Sequence, residues 1–210
     1  IDERILQTPA IALAQLIKEM SYMLEVAQRA LDKAMDNFIN RTEDEEPVRK
    51  DLREINFLSG KVTDYLIRLS EEDMSHNDEL TVSSLYKVLS DIMRVADFSN
   101  NIMRYLRVAV ANELYFSSEG LNEIKEMYSL VDELFKDVDY TFANRTTRLL
   151  AKIEDTESKT DKFKLQLQQN HLDRLKGGNC KSESSSLYVN LIGNIERVAD
   201  HLVYIAQSVK

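Results

Sequence analysis

Cysteine occurs once, at Cys180, so no disulfide can form within the chain and a reducing compartment is the simpler setting. Proline occurs twice and glycine five times. With so few helix breakers and abundant Leu, Ala, Glu, Lys, Met and Gln, the composition points to helices. No apolar stretch approaches the roughly 20 residues a helix needs to cross a bilayer, and no signal peptide is visible. Basic residues are in deficit, 27 Lys and Arg against 36 Asp and Glu, for a formal net charge of -9. That balance argues against wrapping nucleic acid, whose phosphates need a basic surface, and suits a protein that attracts cations or basic partners. Histidine is scarce. His76 and His171 have no acidic or histidine partner at metal-ligand spacing, and His201 points away from its neighbour Asp200, so structural or solvent-facing roles are assigned to all three. Phosphate-cradling glycine loops, nucleophile elbows and zinc spacings are missing, and nothing requires an enzyme.

What is present is helical periodicity. Thr8-Pro9 reads as a helix start, with threonine accepting from the free amides and proline in the first turn. Apolar residues from Ile11 to Phe38 follow at helical spacing, Met20, Met23 and Met35 among them as core. An acidic break over 42–47 ends with Pro47 opening a second helix that carries Leu52, Ile55, Leu58, Val62, Leu66 and Leu69. A polar turn at 75–78 precedes a third, from about Leu80 to beyond Val110. Ser117-Ser118 caps a fourth, a fifth covers Thr146 to Leu175 and stops at Gly177-Gly178, and a polar loop over 180–186 leads into the last. Lys181 beside Cys180 is weak ground for a reactive thiol.

The last helix holds Glu196-Arg197-Val198-Ala199-Asp200, and Arg94-Val95-Ala96-Asp97 echoes it earlier. Ser83-Ser84-Leu85-Tyr86 likewise returns as Ser185-Ser186-Leu187-Tyr188. A repeat this long is a supersecondary unit used twice. The expected fold is all-α, six long helices in two tandem three-helix bundles over 1–114 and 115–210, each antiparallel. Glu196 and Asp200 stand one turn apart beside the apolar arc, and such like charges repel at a cost of about 0.2–0.5 kcal/mol. Glu157 and Asp161 repeat the spacing on the preceding helix. Two antiparallel helices would gather the four carboxylates in one groove, a donor set for calcium, magnesium, manganese or iron. The competing reading is a solvated acidic face. In the first half Met93, Leu52 and Asn56 replace three of the acids and only Asp97 survives, with Asn101 one turn on.

The Glu196–Asp200 run resembles the signature of PhoU-type proteins, a Glu-Arg-(Ile/Val)-(Gly/Ala)-Asp run closing each of two three-helix repeats. The Thr8-Pro9-Ala10-Ile11-Ala12-Leu13 segment is similar to the junction of bacterial sodium/phosphate cotransporters, where a membrane domain runs into a C-terminal PhoU-like domain. Leu172 to Cys180, followed by Tyr188, has the look of the same group. The resemblance implies a cytoplasmic regulatory domain on the inner face of the plasma membrane, part of an integral membrane protein. Its partner would be the transporter domain of the same polypeptide or a phosphate-transport and sensor complex, with a homodimer open to it. Members carry metal clusters, often iron, at the paired acids. Carried over residue by residue, the ligands here are Glu157, Asp161, Glu196, Asp200 and Asp97, while Tyr204 replaces a frequent asparagine. The opening Ile1-Asp2-Glu3-Arg4, without an initiator methionine, reads as a piece of something longer. Two other readings stand beside this one: a free-standing PhoU-type regulator, and a metal-dependent enzyme activating water at the four acids. A ferritin-like site would need Glu-x-x-His pairs, and none is present.

Overall fold

The computed structural model describes residues 5–178, 180 and 182–210, so the opening run at 1–4 and the Lys181 beside Cys180 lie outside the described residues. The described residues form six α-helices, α1 (Pro9–Asn40), α2 (Glu46–Leu69), α3 (His76–Ala111), α4 (Ser118–Ala143), α5 (Leu150–Lys176) and α6 (Ser185–Gln207). A 3-10 turn at Ser182–Ser184 leads into α6, and no strand occurs among the described residues. The all-α expectation is met.

Helix ends follow local chemistry more closely than apolar spacing. Helix α3 begins a turn before Leu80 because the Ser75 hydroxyl accepts from the Asp78 amide at 3.2 Å. Asp78 and Glu79 then place negative charge against the positive end of the helix dipole. Replacing Ser75 by alanine is expected to cost about 1 kcal/mol, or roughly 2–4 °C in a chain of this size. Calorimetry on the variant tests this, and an unchanged transition would mean that the cap is idle. Ser117 caps α4 in the same way, accepting from the Gly120 amide at 3.1 Å. Thr8 does not cap with its side chain; its carbonyl oxygen alone accepts from Ile11 and Ala12. Helix α5 starts at Leu150, not Thr146, since the Thr146 hydroxyl accepts from the Arg148 amide and holds a turn there.

Short connections fold each triplet back on itself. Helices α1, α2 and α3 pack mutually, and α4, α5 and α6 do the same. The triplets are joined where α3 lies on α6 and α1 on α4, and one continuous hydrophobic core runs through both. Helix α1 is therefore buried along most of its length, Met20, Met23 and Met35 included. Polar stitches fix its register on α4: Gln28 donates to Asp132 at 2.9 Å, Tyr128 donates to Asp32 at 2.6 Å, and Ser21 donates to Asp139. Helices α2 and α5 take the flanks.

Candidate metal centre

Helix α5 buries only a narrow stripe, Ile153, Thr156, Thr160, Leu167 and His171 among its members. Two of these are threonines whose hydroxyls bond back to carbonyls one turn earlier, Thr156 to Lys152 and Thr160 to Thr156. The buried stripe is narrow enough that charged groups can sit along its edge. Glu157 and Asp161 lie one position after the buried threonines and are half-buried on that edge. On α6 the stripe Ile195, Val198, Ala199 and Leu202 faces the core, and Glu196 and Asp200 sit half-buried beside it.

The structure brings three of these acids together. Glu157, Asp161 and Asp200 each offer a carboxylate oxygen within 4.8 Å of the others. Glu196 belongs to the same neighbourhood but is ion-paired with Lys164 at 2.9 Å. Asp97 stands exposed on α3 and joins no such group among the described residues. At the first-half positions Leu52 is buried and Met93 packs against the core.

The charges feel one another. Burial pushes the Glu157 carboxyl up from its ordinary range, and the charges of Asp161, Asp200 and Glu196 push it further. Asp200 is raised by burial and then by Glu196 and Asp161, with His201 and Lys164 pulling the other way. Asp161 Oδ1 is buried and accepts no hydrogen bond among the described residues. An all-oxygen donor set, mutual repulsion and an orphaned carboxylate oxygen together fit a hard cation.

Comparison with known proteins bears on both halves of this arrangement. The family model described as the PhoU domain matches twice, over residues 20–106 and 124–209. The chain belongs to the PhoU family. Among curated PhoU relatives, the phosphate-specific transport system accessory protein PhoU homolog 1 of Thermotoga maritima is 24% identical over 197 residues, covering 90% of this chain and 82% of that protein. Among solved PhoU structures, that from Pseudomonas aeruginosa aligns with a TM-score of 0.85 at 16% identity, covering 95% of this chain and 96% of that one. At that identity the likeness speaks for the PhoU fold alone. It matches the six helices.

Several polar contacts of this PhoU chain lie beyond the sequence reading. Lys164 was legible in principle, since it follows Glu157 by seven residues and Asp161 by three, on one helix face. His201 is held by a neighbouring helix: its Nδ1 lies 2.9 Å from Asp91 Oδ1 on α3. His171 stacks on Tyr188 with ring centroids 4.6 Å apart and bonds Ser185 at 2.9 Å. His76 lies 3.3 Å from Glu79, one turn on. The last needs no tertiary contact, whereas the partners of His201 and His171 come from packing across helices.

Proposed function

We propose that this chain is a PhoU-type regulator of phosphate transport, acting on the cytoplasmic face of the membrane as the C-terminal domain of a sodium/phosphate cotransporter. The double match of the PhoU domain carries the regulatory reading, and the relative named as a phosphate-specific transport system accessory protein supports the process. The junction-like Thr8–Leu13 segment supports the tether. No helix among the described residues is long and apolar enough to cross a membrane, so any anchor would lie in other parts of the polypeptide. A free-standing regulator is the second reading, supported by the description of that relative as an accessory protein. The reading frame upstream of Ile1 separates the two: consecutive apolar segments support the tethered form. In the encoding organism, deleting this segment is expected to raise uptake of labelled phosphate several-fold under replete conditions. Uptake indistinguishable from the parent strain would remove the regulatory reading.

Within that reading the carboxylates are a regulatory cation site. Glu157, Asp161 and Asp200 would hold a divalent cation or iron, and Glu196 would join them by leaving Lys164. A bound cation there would neutralise charge and fasten α5 to α6. The role proposed is structural control, not turnover of a substrate.

A further inference from the structure

A second polar site lies away from the carboxylates. An open cleft of about 860 Å³ runs between the first half of α3, the connection from α4 to α5, and the end of α6. Its charge runs against that of the chain. Lys87, Arg145 and Lys210 line it, and among the described residues Asp91 is the only acid to do so. Asp91 is already engaged with His201, and Lys210 is paired with Glu154 at 3.2 Å. Two cations are left over, Lys87 and Arg145, neither with an ion-pair partner among the described residues.

Arg145 is the more telling of the two. It follows the end of α4 with φ at 48°, in the left-handed region that non-glycine residues seldom occupy. Its Nη1 is buried and has no hydrogen-bond partner among the described residues. Burial alone lowers its pKa, and no carboxylate acts to raise it. A half-buried guanidinium without a counter-charge is a standing cost to the fold, retained at a cleft wall. Around it, Ser83 and Tyr204 present hydroxyls that make no hydrogen bond among the described residues. A planar fork of donors, a flexible ammonium and two free hydroxyls suit a group with several acceptor oxygens.

We propose that this cleft binds the phosphoryl group of a small phosphorylated molecule, with Arg145 and Lys87 as its principal contacts and Ser83 and Tyr204 as supporting donors. The volume lies in the range that encloses ligands of drug or nucleotide size, larger than inorganic phosphate needs. The site is independent of the cation site and of the transport reading.

The test is isothermal titration of the whole chain in buffer stripped of divalent metal over a chelating resin, so that phosphate bridged to the carboxylates through a metal does not contribute. ATP, inorganic phosphate and adenosine are the probes. ATP is expected to bind and adenosine not to. Inorganic phosphate is expected to compete with ATP, more weakly if the natural ligand is a phosphorylated molecule and equally if it is free phosphate. Arg145→Gln/Lys87→Gln should weaken ATP binding by at least about tenfold, and raised salt should weaken it in the wild type. The same variant should melt at or above the wild-type temperature, because it removes an unpaired charge. The proposal is overturned by no ATP binding at millimolar concentration, by adenosine binding as well as ATP, by equal ATP affinity in the variant, or by a variant that melts well below the wild type.

Discussion

Arg174→Met is expected to cost about 3 kcal/mol of stability, the lower end for breaking a buried ion pair because both ends reach some solvent. Arg174 and Glu123 are 12% and 15% exposed and meet at 2.7 Å. Glu123 also accepts from Arg174 Nη1 at 2.9 Å, from Asn170 at 2.8 Å and from Tyr188 at 2.6 Å. One carboxylate thus ties α4 to α5 and α6. Burial pushes the Glu123 carboxyl up, but the hydrogen bonds from Arg174, Tyr188 and Asn170 bring it below its ordinary value. A depressed carboxylate contributes stability above its unfolded pKa and loses it as pH falls through the folded one. The variant's deficit should therefore be widest near neutral pH, roughly 6–12 °C in melting temperature, and close in acid. Calorimetry across pH provides the check. A deficit under about 2 °C at neutral pH would show that Tyr188 and Asn170 suffice. Glu123→Gln/Arg174→Met should fall short of the single loss, since no charge is then left stranded.

The carboxylates of α5 and α6 should behave in the opposite sense. The pKa values of Glu157 and Asp200 are raised, so these two oppose folding while ionised, and protonation relieves them as pH falls. In metal-free buffer Glu157→Gln/Asp200→Asn is expected to melt above the wild type near neutral pH, with the gap closing toward the carboxylate range. Adding a bound cation should reverse the order. At a hundredfold excess over its dissociation constant, a ligand of the native state alone contributes about 2.7 kcal/mol, or roughly 5–11 °C here. Only the wild type should show that rise. Melting curves with calcium, manganese and ferrous iron, alongside elemental analysis of protein purified without chelators, measure it. Less than about a tenth of an equivalent of metal, with no change in melting for any of the three, would count against binding. A variant that keeps the whole response would show that other residues hold the ion. Lys164→Met adds a finer reading: releasing Glu196 should raise cation affinity.

Much of the architecture was legible because helical periodicity is local. The stripes from Ile11 to Phe38 and from Leu187 to Val209 marked α1 and α6, and Pro47 and Gly177-Gly178 marked ends. Starts governed by one hydroxyl were harder. Ser75 extends α3 backward and Thr146 delays α5 through single hydrogen bonds that apolar spacing does not register. At the site, i and i+4 spacing gave each pair of acids, but which carboxylates converge depends on how α5 rolls against α6. The charge on Lys164 decides where Glu196 points. Arg145 left no trace in the sequence, because its isolation is a property of what packs near it and not of its neighbours along the chain.

The seam between the triplets pairs α1 with α4 and α3 with α6, and in a chain matched twice by one family model these are counterpart helices. Elements meeting their own equivalents is the arrangement of an isologous homodimer, here made permanent by a covalent link over 112–117. In a true homodimer every substitution appears on both sides at once. Fusion lifts that constraint: Leu52 and Met93 can serve as packing on one side while Glu157 and Glu196 stay acidic on the other. The asymmetry in charge is something the single chain permits and two identical subunits would not.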